Sequence, residues 1–467
     1  MSLQSDDRLD SALSGPADDR AVVGWAGPVP ASLAYRARAL AEEVARRVSD
    51  PQRLVELAVL AADQAEHPMG WQYPGFAHGH AGVSLLHLAA ARAAGDGTAR
   101  ERAEQTAFEF IREAVAGTRI APLEEPGLFG GTSGLALCMA DCVAAEPRFR
   151  PSLDRLHRSL AEQVAEMHLP HVERGVSDSD YDLISGASGI LCHLLAVDGP
   201  DAVMLAAIDR LVGYLVWLGG TPDDLTVPHR WMIAPAQYSP HELMGPPAGG
   251  YVNLGVAHGV PGMAAALAAA IRAGHRAPPD TAALRRMTSW IAAVARRDEF
   301  GPFWPSVVPV SERGGELDSE AVTTDQLAWC YGTAGVSACL LAVADATDDT
   351  ALRCTAVEAF EAVLRRARVV ASSTPTLCHG RAGLLAICLE FAASGASPLA
   401  VRHLPLLLEE VVGFADDTRP LLFVDQEQPG VLVDSPAVLT GACGVALTLF
   451  AATAEHRPSW LRAFLTR

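Results

Sequence analysis

The chain has 467 residues, half of them apolar, with only 6% aromatic side chains and a formal net charge of −19. So acidic a balance argues against nucleic acid or an anionic membrane as a main partner, and abundant alanine and leucine favour helix over strand. No apolar run reaches the roughly 18 residues of a membrane span, and the start MSLQSDDRLD is too polar for a secretory signal, so a cytoplasmic protein without membrane insertion is expected.

Residues 1–30, rich in Asp, Ser, Gly and Pro, read as a mobile tail, and residues 31–467 as a single domain. One pattern then recurs along the chain: two glycines three residues apart, followed by an apolar stretch of helical character. The pairs are Gly79/Gly82, Gly131/Gly134, Gly186/Gly189, Gly259/Gly262, Gly332/Gly335, Gly380/Gly383 and Gly441/Gly444. Recurrence at about the length of one helix pair is the mark of a helical repeat protein. Residues three apart share a helix face, and glycine there costs about 1 kcal/mol against alanine. Paying it seven times implies that another backbone comes close.

The runs after the pairs, such as LLHLAAARAA and MAAALAAAI, read as packed inner helices. More polar stretches over 99–116, 153–167 and 352–368 read as outer helices. An open solenoid needs polar caps at both ends, and the seventh copy is as apolar as the third. The expected fold is therefore all-α, a double-layered α/α toroid of seven inner and seven outer helices. Three connections are long: 219–256, 298–328 and 414–438, which carry Trp231, Tyr238 and Trp304. Either function or tolerated surface insertion accounts for such loops.

In a ring, equivalent positions of successive repeats lie at one mouth. Two residues before the first glycine stand Ala77, Phe129, Ile184, Ala257, Cys330, Cys378 and Leu439. One residue before it stand His78, Gly130, Ser185, His258, Tyr331, His379 and Thr440. Cys330 and Cys378 thus share a slot in consecutive repeats, with His379 beside the second, His258 one repeat earlier and Asp182 in the repeat before that. Two thiols and an imidazole make three good zinc ligands and leave a fourth position open, the pattern of a catalytic site. A spacing of 48 residues between the cysteines matches no finger or ribbon motif, and buried thiols at helix starts are the competing reading.

At these residues the chain resembles the lanthionine synthetase C-like cyclases. The likeness covers roughly 70–450 and rests on Trp329-Cys330-Tyr331-Gly332, Cys378-His379-Gly380, Ala257-His258-Gly259 and Tyr181-Asp182 through Gly186. The resemblance implies an α/α toroid with a central zinc held by Cys330, Cys378 and His379, and catalytic roles for His258 and Asp182. It implies addition of a peptide cysteine thiolate to dehydroalanine or dehydrobutyrine, closing lanthionine or methyllanthionine rings. The metal favours the thiolate, and His258, with a side-chain pKa near working pH, is the candidate acid for the resulting enolate. Asp182 either orients His258 or receives the thiol proton; Tyr331 either contacts the enolate or packs. In many members an arginine stands four residues before the first zinc cysteine, whereas here Gln326, beside Asp325, supplies no charge.

The implied partner is a dehydrated precursor peptide. The repeats fill the chain, so a separate dehydratase must prepare that peptide, and a transporter joins the two in a biosynthetic complex. The alternative is a zinc protein of the same family that binds glutathione or modified proteins and has no dedicated precursor. A toroidal glycosidase or terpene cyclase would need paired acids or an acidic diphosphate motif, and only Asp182 is in register. Cys138/Cys142 and Cys192-His193 read as core. His78 and His80 are the further candidate site histidines, and Asp345, Asp348 and Asp349 read as a solvated helix end.

Overall fold

The computed structural model describes residues 21–220, 227–238, 247–310 and 326–465. The chain falls into two compact units: Met1–Pro122 with Cys138–Phe149 and Ala371–Leu461, and Leu123–Leu137 with Arg150–Val370 and Arg462–Arg467.

Every glycine pair opens an apolar helix: His80–Ala93, Thr132–Ala145, Ala187–Leu194, Val260–Arg272, Thr333–Thr347, Arg381–Ala393 and Ala442–Ala452. These helices are apolar all round because they are packed all round; Thr333–Thr347 buries every residue from Thr333 to Ala344. Seven amphipathic helices alternate with them along the chain: Ala31–Arg47, Gly97–Gly117, Arg150–Glu166, Ala202–Gly219, Pro278–Ala293, Thr350–Ala367 and Pro398–Gly413. Among the described residues a further one, Pro51–Gln64, buries Leu54, Ala58 and Ala61. Arg150–Glu166 shows the physics, burying Leu153, His157, Leu160, Ala161 and Val164 on one stripe. Asp349 caps Thr350–Ala367 through the Leu352 amide at 2.9 Å, so this carboxylate ends a helix as expected.

The glycines are required by their own repeat. A Cβ on Gly444 would sit 1.8 Å from the Val438 carbonyl oxygen, and one on Gly82 1.9 Å from that of Phe76. In each case the approaching backbone is the turn that precedes the helix, not a neighbouring helix. We expect Gly444→Ala to destabilise the protein by about 1–3 kcal/mol through this overlap, despite alanine's better helix propensity. Gly213, exposed in Ala202–Gly219 with nothing near its Cβ position, is the control: Gly213→Ala should stabilise by up to about 1 kcal/mol. Urea unfolding midpoints measure both, and equal shifts would refute the steric account.

Adjacent pre-helix turns are joined by backbone hydrogen bonds at the slot two residues before the first glycine. In the second unit, Leu128 and Phe129 amides donate to Ile184 O (both 3.0 Å), Leu183 N to Ala257 O (3.0 Å), and Val256 N to Cys330 O (2.9 Å). In the first unit, Cys378 N donates to Leu439 O (2.9 Å) and Val438 N to Ala77 O (2.9 Å). The last bond makes the seventh repeat a direct neighbour of the first, so neither needs a polar cap. Helix Ala31–Arg47 packs on Ala442–Ala452 in the same unit.

Two expectations change. Residues 21–30, assigned to the tail, form a hairpin of strands Ala21–Gly24 and Gly27–Pro30. Trp25 holds it to the last repeat, donating from Nε1 to Ala451 O at 2.8 Å and from its amide to Ala454 O at 3.1 Å. Residues 1–20 lie outside the described residues. The helix Ala202–Gly219 is also long and apolar enough to cross a membrane, with mean hydropathy 1.6 over 18 residues. Its apolarity has another use: Ala207, Ile208, Leu211, Leu215 and Leu218 are buried against Arg150–Glu166, Ala187–Leu194 and Pro278–Ala293, and Asp209 and Arg210 interrupt it.

The long connections are organised by small antiparallel sheets. Tyr251–Asn253 lies between Met232–Ile233 and Val307–Pro309, and Asp425–Gln428 pairs with Val431–Val433. Buried Trp231 and Trp304 pin the first two connections, donating to Leu218 O (2.8 Å) and Ile291 O (2.7 Å).

Candidate active site and metal ligands

In the second unit, the turn before Ala187–Leu194 carries Asp182 at the end of the short helix Asp178–Tyr181. Its carboxylate is almost wholly buried. Oδ1 accepts the amides of Ser185 and Gly186, each at 2.7 Å. Oδ2 lies 2.6 Å from His258 Nδ1. Two backbone donors thus aim one carboxylate oxygen at the imidazole. The His258 side chain is 34% exposed while that of Asp182 is 2% exposed, so Nε2 is the nitrogen left for a substrate. Burial opposes a charge on His258. The hydrogen bond and charge of Asp182, with Asp178 and Cys330, outweigh it and raise the imidazole to about 9.

Asp178 stands 4.0 Å from the same nitrogen, a second carboxylate that the sequence reading passed over. Tyr331 lies beside His258 with ring centroids 6.5 Å apart. Its hydroxyl accepts from Asn253 Nδ2 at 3.2 Å, and Asn253 Oδ1 in turn accepts the Gly255 amide at 2.8 Å. Cys330, adjacent to Tyr331, is buried, and its carbonyl is the one that receives the Val256 amide. Gln326 is exposed, and Asp325 lies outside the described residues.

The first unit holds Cys378 and His379 on the turn before Arg381–Ala393. His379 Nε2 donates to Asp425, 3.1 Å from Oδ1 and 3.2 Å from Oδ2. Asp425 also accepts from Thr374 Oγ1 at 2.6 Å. Neither Asp425 nor Asn253 shares the repeat register; each reaches its partner because a long connection folds back as a strand.

Cys330 therefore belongs to one unit and Cys378 with His379 to the other. Among the described residues, no three His, Cys, Asp or Glu side chains are gathered as a metal would gather them. The donor set still fits zinc chemically, because two thiols and an imidazole are its preferred ligands. His379 is moreover braced by a buried carboxylate through one ring nitrogen, the usual support of a metal-bound histidine.

The other candidates separate cleanly. His80 is core: Trp71 Nε1 donates to its Nδ1 at 3.0 Å, and burial lowers it to about 4. His78 lies 2.9 Å from Thr440 Oγ1 and is likewise lowered to about 4 by burial. Burial pushes the thiols of Cys142 and Cys192 up to about 12, and Cys138 and His193 are buried beside Cys142 and Cys192 in sequence, the Cys192 residue itself being half-buried. None of the nine cysteines is in a disulfide. Asp345 pairs with Arg353 at its helix end.

The profile of the family described as Lanthionine synthetase C-like protein matches residues 70–465. Nisin biosynthesis protein NisC of Lactococcus lactis subsp. lactis is 26% identical over 266 residues, 56% of this chain and 62% of that protein. The match thus spans less than two thirds of the relative. A solved nisin cyclase is similar in structure with a TM-score of 0.69 at 21% identity, covering 89% of this chain and 97% of the other. The shared fold is the expected α/α toroid.

Proposed function

The chain belongs to the lanthionine synthetase C-like family, and on that premise we propose that it is a peptide cyclase. It joins cysteine thiols of a dehydrated precursor peptide to dehydroalanine or dehydrobutyrine, forming lanthionine and methyllanthionine thioethers. The observation that carries this reading is the Asp182–His258 pair, in which a buried, doubly anchored carboxylate meets an imidazole at 2.6 Å. A relative named for nisin biosynthesis supports it.

Cys330, Cys378 and His379 would hold zinc, which when bound supplies a Lewis acid that keeps a substrate thiol in its nucleophilic thiolate form. The rest of the chemistry falls to side chains. Asp182 keeps the proton of Nδ1 in place and favours the imidazolium, so His258 presents an acidic Nε2–H. The thiol proton leaves to solvent as the thiolate forms. As sulfur bonds to the β-carbon, the π electrons move toward the carbonyl, Nε2 delivers its proton to the α-carbon, and solvent restores the proton on the partly exposed ring. With both oxygens engaged, Asp182 is a positioning residue and not the acceptor of the thiol proton. Tyr331, whose hydroxyl accepts from Asn253 at 3.2 Å beside His258, is the group that would contact the enolate oxygen. Residues 31–467 act as one catalytic domain in the cytoplasm, and a separate dehydratase and a transporter are its partners.

The test uses zinc-loaded protein and a dehydrated, cysteine-containing peptide, followed by thiol alkylation and mass spectrometry. Ring closure leaves the peptide mass unchanged and removes the alkylation adduct. Persistent adducts overturn the reading, and glutathione conjugation without ring closure would favour the non-precursor alternative. The pH profile adds a sign. His258 is raised to about 9, so its acidic form is present below that pH and lost above it. The enzyme-dependent rate should fall above about pH 9. In Asp182→Asn that fall should move toward the ordinary histidine value of about 6.5.

A further inference from the structure

Resting on the zinc reading above, we propose that Asp425 is a positioning residue that holds His379 by Nε2 and so makes Nδ1 the nitrogen presented to the metal. The juxtaposition is specific. Asp425 begins the strand Asp425–Gln428, whose register places it opposite Val433, and its side chain is only 3% exposed. A carboxylate buried to that degree is costly unless it is fully hydrogen-bonded. Here Thr374 Oγ1 donates to Oδ1 at 2.6 Å, and His379 Nε2 reaches both oxygens at 3.1 and 3.2 Å.

Thr374 is itself fixed. Its hydroxyl gives its proton to Asp425, accepts the Thr376 amide at 3.3 Å and lies 3.2 Å from the Thr376 hydroxyl. The turn that carries Cys378 and His379 is thus tied to the strand carrying Asp425 by the two threonines that begin it. The neighbouring Cys378 is held from the other side by its amide bond to Leu439 O. An imidazole gripped at Nε2 by a charged acceptor has its tautomer and ring plane set, and its Nδ1 becomes the stronger electron-pair donor.

The experiment measures zinc dissociation constants by competition with a chromophoric chelator. It uses the full-length wild type, Asp425→Asn, Asp425→Ala, His379→Ala and the double variant Asp425→Ala/His379→Ala. Thermal unfolding of each zinc-free protein accompanies it. Loss of an outer partner of a metal ligand typically costs about 10–100-fold in affinity, and we expect that loss in Asp425→Ala and a smaller one in Asp425→Asn, whose amide oxygen still accepts from Nε2. The double variant should bind zinc no more weakly than His379→Ala alone, because Asp425 acts only through that ring. A merely structural role would weaken both backgrounds alike, and that result overturns the proposal. Selective histidine ¹⁵N spectra of the zinc-loaded wild type should show His379 protonated at Nε2 and metal-bound at Nδ1; the reverse assignment overturns it as well. Unchanged affinity in His379→Ala would remove His379 from the ligand set and this inference with it. A loss in His379→Ala with none in the Asp425 variants overturns this inference alone.

Discussion

In His258→Asn, ring formation slows by about 10²–10⁴-fold, the usual contribution of a general acid or base, while zinc content and peptide binding stay at the wild-type level. The asparagine side chain ends in an amide that can still donate to Asp182 Oδ2, where Nδ1 of His258 now sits at 2.6 Å. The buried carboxylate therefore keeps a partner and the turn keeps its shape. What disappears is the Nε2 proton on the exposed side of the ring. Sulfur can still add to the β-carbon, but an enolate that is not protonated in time expels the thiolate again. The free thiol then persists and is captured on alkylation. The check is a time course of alkylatable thiols beside a zinc determination on the same preparation. Ring formation at the normal rate by a zinc-loaded His258→Asn protein removes His258 from the mechanism and turns attention to Tyr331. Loss of zinc instead places His258 in the metal site and closes the fourth coordination position.

The repeat was legible because its signal is local. A glycine pair every 48 to 73 residues, each ahead of an apolar run, can be counted without a structure, and it located seven inner helices. That another backbone comes close to the glycines was legible too, but not which one. It is the helix's own entry turn, as Gly444 against Val438 O shows. Which carbonyl a turn folds beneath is a matter of its φ and ψ angles, and residue types three apart do not encode it.

The site divides the same way. Asp182 and His258, which the structure pairs at 2.6 Å, could be put forward because both sit in repeat register, and register is a sequence property. Asp425, Asn253 and Asp178 were missed for different physical reasons. Asp425 and Asn253 arrive on short strands of the long connections, and their side chains meet His379 and Tyr331 across 46 and 78 residues of sequence. Asp178 lies four residues before Asp182 across one short helical turn, a spacing visible in the sequence that the register argument did not use. Two of those connections deliver a side chain to a candidate site residue, Asn253 to Tyr331 and Asp425 to His379. The hairpin at 21–30 was misassigned because small and proline-rich composition suggests a tail, yet one tryptophan with a buried carbonyl to bond is enough to dock it.

Cys378→Ala and Cys330→Ala are each expected to lose stoichiometric zinc, and with it all cyclisation above the uncatalysed background. Three protein donors are the minimum usual for a zinc that keeps an open position. Removing one leaves two, and a dilute chelator then competes successfully. The other cysteines supply the control. Burial pushes the thiols of Cys142 and Cys192 up to about 12 and raises those of Cys339, Cys388 and Cys443 as well. A thiol held neutral in an apolar helix is a small hydrophobic side chain and not a ligand. Cys142→Ala should therefore keep zinc and activity and show only the modest destabilisation of a small core truncation. Cys330 and Cys378 differ in position: both stand on the pre-helix turns, two residues before a helix-opening glycine, where the backbone ties successive repeats together. Metal analysis of the purified variants, alongside the cyclisation assay, decides the matter. Zinc retained at one per chain in both Cys330→Ala and Cys378→Ala would sink the ligand assignment. Loss in one alone would keep that cysteine and require a different third donor, which must then come from outside the repeat register.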